Sequence, residues 1–552
     1  MNVWMKMIKI ITAAVVGLVL SEVWALNADV YAPEAMDAVR PGGVAGSAFW
    51  NKYSRGFIYP PAFDFSCSFT TGTMVKCRFT VLDSEGKILT FDAASPKASL
   101  ESVWGQVAPG ETWVYMSTVD KDGEVCYTPD WPREKFSRRF WKKAAFRPGA
   151  YGAAPRSYAE AIRLCGDEIF NFPTVQSFLK NGRPDFAYQY NCYPSKIYGA
   201  IVRIMLEYAK VRPEKAVVAM KAAKSAADYL IATSFKEGAV LEYFPLTYGD
   251  ERWAGASRFG QVMMCYPCDV GMGYLDLYEA TKELKYFDAA VKIGQTYLKL
   301  QEADGTWSVL MRGEDGKRMG TGRLQPIRVV IFLERLSKVC GDGKFRAAGD
   351  RAFRWVEEHV IRDWCFEGQF EDVGMCEKYE NASEHMAVDA ALYALGRFPG
   401  DKKWVQFARD VTRYSEDQFV FWEKPAAENG HGINTPYGVA GDQQCRYDDW
   451  FYPCVLEQYA YYVPIDSANA KMIQMYLAMY RVEKNPLDLA KARALADALV
   501  RIQDPNNGYI PTEYAKVAYR HNPQGGWLNC TCLSLKALLE LDEIEKKEVA
   551  AK

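Results

Sequence analysis

Two periodicities divide this chain. Between about Phe63 and Phe146, apolar and polar residues alternate in short runs, FDFSC, VKCRFTVLD, KILTFDA and TWVYMSTVD, broken by turn signals such as Asp83-Ser-Glu-Gly86 and Asp120-Lys-Asp-Gly123. The alternation predicts a small antiparallel β-sandwich over residues 63–146. Beyond Pro148 it disappears. From about Tyr158 a unit of 60 to 75 residues recurs: a helix entered from a polar, aromatic loop, a short turn, then a second helix. First helices are expected near 193–208, 268–281, 325–338, 383–396, 466–481 and 529–541, with partners near 214–233, 285–301, 344–360, 402–418 and 486–503. The first helices look apolar all round, as in VGMGYLDLY and AVDAALYAL, whereas the partners carry one charged stripe, as in KYFDAAVKIGQTYLKL. A helix apolar on every side is buried on both. The expected fold over 147–552 is therefore mainly α, an (α/α)6 or (α/α)7 toroid of inner helices ringed by outer ones. A helix or insertion at 453–462 leaves the count open.

The N-terminus adds a processing expectation. Lys6 and Lys9 precede the apolar run Ile10 to Leu20, and Val23-Trp24-Ala25 supplies small residues at cleavage spacing, so residues 1–25 read as a secretory signal peptide. The run is short for a bilayer span, which points to an exported, periplasmic or extracellular protein without stable membrane insertion. Residues 26–62, rich in Pro, Gly and aromatics without periodicity, read as an extended arm.

At 552 residues and 49% hydrophobic content the chain can bury a large core, and a net charge of -2 gives no reason to expect nucleic acid. An anionic partner would have to meet a local basic patch. Many of the 14 cysteines fall inside predicted helices, where buried thiols are common. The tight pairs Cys265/Cys268 and Cys530/Cys532 lack suitably spaced histidines, so neither a metal nor a cofactor is expected. Trp104, Trp113 and Trp131 are expected to pack rather than to stack on sugars.

In a helical ring, the loops leading into inner helices gather at one end. Those loops hold Asn191, Tyr193 and Lys196; Tyr243, Tyr248 and Arg252; Tyr266; Arg323 with Gln325; Glu371; Asn381 with His385; Arg446, Tyr447, Trp450, Tyr452 and Glu457; and Trp527 with Asn529. Flat aromatic faces interleaved with forked polar groups suit sugar rings with their hydroxyls and carboxylates. Within the stretch 376–396, Ser383 reads as a helix N-cap and His385 falls in the first turn, in a chain with four histidines.

The signal peptide, sandwich and toroid, with the motifs NCYPSK, EGQFEDV, ENASEH, WFYPCVLEQY and WLNC, resemble the exported bacterial (α/α)-toroid polysaccharide lyases that act on uronate polymers, alginate and glucuronan lyases above all. The resemblance implies β-elimination of an anionic polysaccharide or oligosaccharide. Asn381 and His385 would neutralise the C5 carboxylate, and Tyr447, tuned by Arg446, would act as base and acid. The adjacent Asn-His pair of related enzymes is absent, since these residues are four apart, and Tyr437, Tyr452, Tyr193 or Tyr248 could equally serve. The resemblance implies substrate-binding roles for Asn191, Tyr193, Lys196, Tyr248, Arg252, Arg323, Glu371, Trp450, Tyr452, Glu457 and Trp527.

Two alternatives stand beside it. Hydrolysis on the same scaffold, including unsaturated-uronyl hydrolysis, would use carboxylates such as Glu371, Asp372, Asp449 and Glu457. A non-catalytic glycan-binding protein would need only the sandwich and its tryptophans.

Overall fold

The structure, a computed structural model, describes residues 56–65, 76–127, 137–249, 258–320, 322–362, 384–424, 450–456, 464–513 and 525–550. The chain divides into two compact units, Met1–Ala145 with Glu423–Asp442, and Phe146–Trp422 with Gln443–Lys552.

In the first unit, strands β1 (Gly56–Phe57), β3 (Lys76–Leu82), β4 (Ile88–Ala93), β6 (Gly110–Val119), β7 (Val125–Tyr127) and β8 (Ser137–Lys142) form a six-stranded sheet in the order β1-β8-β6-β3-β4, with β7 also on β6. β2 (Ala62–Asp64) and β5 (Lys97–Ser99) pair separately. Alternation sets the faces: Cys77, Phe79 and Val81 of β3 point into a core shared with Phe57, Phe63, Phe65, Trp104 and Phe140. Trp104 is a core residue whose indole N–H donates to the Ile58 carbonyl at 2.9 Å. The sheet differs from a purely antiparallel one because β1 pairs with β8 in parallel, so residues at the end of the expected arm belong to the sheet.

The second unit is a closed ring of six helical hairpins. We label its helices α1 (Tyr158–Asn171), α2 (Pro173–Asn181), α3 (Pro194–Val211), α4 (Ala216–Thr233), α5 (Pro267–Thr281), α6 (Leu284–Leu300), α7 (Ile327–Cys340), α8 (Gly343–Val356), α9 (Glu384–Arg397), α10 (Lys402–Phe419), α11 (Asp466–Glu483), α12 (Pro486–Ile502) and α13 (Leu528–Ala550). The inner helices α3, α5, α7, α9, α11 and α13 each pack on the next, and α13 packs back on α3. Outside them lie α4, α6, α8, α10 and α12, each on its own inner helix. The sixth outer helix is α1: the first helix of the ring pairs with the last and closes it. Among the described residues the count is six; residues 453–456 hold a short strand, Cys454–Val455, on Val420–Phe421, and the remainder of 453–462 lies outside the described residues.

Local sequence explains the hairpins. Ser157 caps α1 by accepting from the Glu160 N–H at 3.2 Å, the opening half of a Ser-x-x-Glu capping box. Asp342, Asp401 and Asn485 cap α8, α10 and α12 in the same manner. Close approach of inner helices depends on small residues: a Cβ on Gly271 of α5 would come within 2.5 Å of the Phe332 ring of α7. No helix among the described residues is long and apolar enough to cross a membrane.

Candidate functional site in the bore of the ring

The inner helices are not apolar all round. Each presents a narrow polar stripe to the ring axis, and together they line a lumen of about 560 Å³. Its upper layer comes from the first two turns of the inner helices: Lys196 of α3, Asp269 of α5, Arg328 of α7, Asp389 of α9, Ser467 and Lys471 of α11, and Asn529 of α13, with Tyr266 just before α5. The lower layer holds Arg203 and Glu207, Asp276, Gln474 and Arg481, and Lys536 and Glu540.

The upper layer is one chain of charges. The Arg328 guanidinium lies 3.4 Å from Asp269 through Nη1 and 3.2 Å from Asp389 through Nε, and Asp389 also pairs with Lys471. Four neighbouring inner helices are thereby linked. Below, Asp276 accepts from Arg203 at 3.0 Å and Arg335 at 2.6 Å, and Glu540 accepts from Gln474 at 2.7 Å.

Burial raises the pKa of Asp269 above the ordinary carboxylate value; Arg328 and Arg203 oppose the shift and Asp389 adds to it. The carboxyl is surrounded by protein, yet about a third of its side chain is open, at 36%, and the side chain lines the lumen. Burial works against the charge on Arg328, but Asp269 and Asp389 outweigh it and hold the guanidinium firmly protonated. Asp269 is therefore an acid that keeps its proton more readily than most, beside a permanent cation.

An aromatic wall flanks this layer. Tyr190 stacks on Trp527 with ring centroids 3.9 Å apart, Tyr193 lies 5.2 Å from Trp527, and the Lys196 ammonium sits 4.0 Å from the Trp527 ring. Tyr248 packs edge-on against Tyr193, and its hydroxyl accepts from Arg258 at 3.1 Å.

Of the residues singled out from sequence, the structure brings Lys196, Tyr193, Tyr248 and Trp527 together. His385 is the second residue of α9, as expected, but its side chain lies outside the described residues. Asn381, Arg446, Tyr447, Arg252, Glu371, Glu457, Asp372, Asp449, Tyr437 and Trp131 also lie outside them. Others are occupied elsewhere. Asn191 is buried and bonds the Asp185 carbonyl and Thr174, holding the loop before α3. Arg323 pairs with Glu302 and Asp304 on the loop before α7. Trp450 is buried edge-on against Phe421, and Tyr452 packs beside it while its carbonyl accepts from Arg501.

The axial residues Asp269, Arg328, Asp389, Lys471 and Lys536 were missed. The available signal is a heptad: Lys196/Arg203, Asp269/Asp276, Arg328/Arg335, Ser467/Gln474/Arg481 and Asn529/Lys536 each stand seven apart. Seven residues make nearly two turns, so each pair shares one face.

Among the described residues nine cysteines are free thiols, and no three of His, Cys, Asp and Glu gather as a metal would require.

No family model matches the chain, and no curated protein matches it in sequence. Solved structures similar to it include a family 76 glycoside hydrolase from a bovine Bacteroides thetaiotaomicron strain, with 11% identity, 88% of this chain and 96% of that chain covered, and a TM-score of 0.44. Cellobiose 2-epimerase from Spirochaeta thermophila is 12% identical over 71% of this chain and 100% of its own, with a TM-score of 0.45. An unsaturated glucuronyl hydrolase specific for heparin is 11% identical over 70% and 98%, with a TM-score of 0.41. At such values none of them names an activity for this chain.

Proposed function

We propose that this protein is a glycan-processing enzyme and that it works as a glycoside hydrolase at the upper layer of the bore, on an oligosaccharide or polysaccharide carrying acidic sugars. The observation that carries the reading is Asp269, an acid with a raised pKa in the lumen, sharing one guanidinium with a second carboxylate, Asp389. In this reading protonated Asp269 donates to the departing glycosidic oxygen, and Asp389, paired with Arg328 and Lys471, activates water. Half-buried Trp527 gives sugar rings a flat face, and Lys196 beside it, which lines the lumen, meets an acidic group. β-Elimination rests on Asn381, His385, Arg446 and Tyr447. Tyr248, whose hydroxyl accepts from Arg258, is 1% exposed and does not line the lumen.

The test incubates the protein with polymannuronate, glucuronan, pectate, glycosaminoglycans and their unsaturated oligosaccharides, following reducing ends and ultraviolet absorbance together. Reducing ends without new absorbance, or loss of absorbance from unsaturated oligosaccharides, is the expected result. Both signals rising would replace hydrolysis by elimination and return the chemistry to the tyrosines. Silence on every substrate would remove the enzymatic reading.

A further inference from the structure

Lys536 differs from the other cations of the lumen. Arg203, Arg328, Lys471 and Arg481 each hold a carboxylate of a neighbouring helix, and Lys196 rests on the Trp527 ring. No ion pair or hydrogen bond reaches the Lys536 ammonium among the described residues, although its side chain lines the lumen. The groups facing it are Arg203 and Lys471, which repel it, and Glu540 and Asp389, which attract it. Both carboxylates are already engaged, Glu540 with Gln474 and Arg481, and Asp389 with Arg328 and Lys471.

The side chain is exposed in the lumen, so the ammonium stands open to an anionic ligand. The protein surrounding the lumen, with the Arg203 charge, loosens its hold on its proton. A second polar group nearby is also unspent: Asn529, seven residues earlier on the same face of α13, has a buried Oδ1 without a hydrogen-bond partner. Lys536 lies eight residues into α13, or about 12 Å below its first residue at 1.5 Å per residue. The volume of about 560 Å³ is of the size that holds a small ligand.

We propose that Lys536 anchors an anionic group, a carboxylate or a sulfate ester, on the terminal sugar of a ligand that enters the bore end-on, with Asn529 Oδ1 accepting from a hydroxyl above it. The sugar part of this proposal rests on the glycan reading; the anion anchor does not. End-on entry makes the protein specific for chain ends rather than for the middle of a polymer.

The test is calorimetric titration of the full chain with glucuronate, glucose and inorganic sulfate, for wild type, Lys536→Met, Lys536→Gln and Lys536→Arg. Wild type is expected to prefer glucuronate to glucose by at least ~10-fold, the size of one charge-assisted hydrogen bond. Lys536→Met should bind glucuronate about 10- to 100-fold more weakly with glucose unchanged; Lys536→Gln gives the same result should the methionine variant fail to fold. Lys536→Arg should keep the preference. Sulfate binding that depends on Lys536 would assign a sulfate ester, and its absence beside glucuronate binding a carboxylate. Equal binding of the two sugars by wild type, or a preference retained without the lysine, overturns the anchor while leaving a glycan enzyme standing. Lys536-dependent sulfate binding with no sugar bound supports the anchor and removes the glycan reading.

Discussion

The two ends of the helical ring are built on opposite principles. Where the inner helices stop, the chain turns back within two to four residues, and at three of these ends within two: Lys282-Glu283 joins α5 to α6, Gly341-Asp342 joins α7 to α8, and Lys484-Asn485 joins α11 to α12. The first residue of each of these three turns adopts positive φ, at 61°, 73° and 55°, and Asp342 and Asn485 then cap the next helix with their side chains. Where the inner helices begin, the connections are long, and α3, α5, α7 and α11 start with no side-chain cap. There the first N–H groups are met from other elements, Ser195 by the Leu246 carbonyl, Cys268 by the Tyr297 hydroxyl and Asp466 by the Thr512 carbonyl, while the charges of Asp269 and Lys196 on the first turns line the lumen. One end spends its polar groups on closing hairpins. The other holds them in reserve, and a protein that only needed to be stable would not.

The largest effect should follow from breaking the reserved end. Asp269→Asn keeps the shape of the side chain and leaves Arg328 paired with Asp389, but removes the proton donor, so turnover should fall by about 1,000-fold with the melting temperature little changed. The companion observable is pH. Because the Asp269 pKa is raised, the acid form persists to higher pH than for an ordinary aspartate and activity declines as pH rises through that value. Near-wild-type rates for the variant would strip Asp269 of its role. In the outer wall the converse holds. Lys491 and Glu416 form a buried pair at 2.6 Å, with Glu416 also accepting from the Trp422 indole at 3.0 Å, and no part of it faces the lumen. Lys491→Met removes the buried carboxylate's lysine partner, and chemical denaturation should show a loss of about 3 kcal/mol. Turnover per folded molecule should stay the same; a matching loss of specific activity would dissolve the contrast.

The same contrast explains what could be read from the chain beforehand. Hairpins were legible because their signals are local: Ser157-x-x-Glu160, Asp342, Asp401 and Asn485 announce helix starts, and apolar spacing supplies the rest. Ring closure was less legible, since α1 finds its partner α13 across the whole unit, and no local pattern records that pairing. The proposed site lies at the end where the inner helices begin, as do the loops singled out from sequence, but it draws on the helices themselves. Loop tyrosines draw attention by number, yet Asn191, Trp450 and Arg323 are occupied with holding loops together. The axial charges were overlooked because a stripe of one residue in seven barely lowers the apolar character of a helix such as α9, which holds Asp389 among Ala387, Val388, Ala390 and Ala391. A stripe that narrow faces only the axis, and axial position becomes visible once six helices are assembled.

Glu168 provides a test of intermediate size, behind the lumen wall. It is buried on α1, and burial alone pushes its carboxyl from 4.5 up to about 8. Between those values the folded chain holds a proton that the unfolded chain has released. Stability should therefore be greatest below about pH 4.5 as far as this group is concerned, and fall as pH rises towards 8, with a slope of up to about 1.4 kcal/mol per pH unit, then level off. Glu168→Gln removes the slope. Melting curves at pH 5 and pH 8 should show the variant gaining on wild type at the higher pH alone, and a gain independent of pH would mean that the carboxyl is not buried in its neutral form.

The smallest predicted effect lies at the closed end. Asp342 accepts from the Lys344 N–H at 3.0 Å and so satisfies one of the donors left open at the start of α8, next to the left-handed Gly341. Asp342→Ala forfeits that bond and the favourable meeting of a carboxylate with the helix N-terminus, and the loss of stability should be well below that of Lys491→Met. Its carboxyl pKa is held below the ordinary value chiefly by the same backbone N–H, with Lys344 assisting, so the contribution is present at neutral pH and lost as the medium is acidified through that depressed value. The difference between wild type and variant should thus shrink at low pH while kcat and KM remain those of the wild type. A change in KM would mean that the short-turn end communicates with the lumen, and the division between a closing end and a working end would no longer hold.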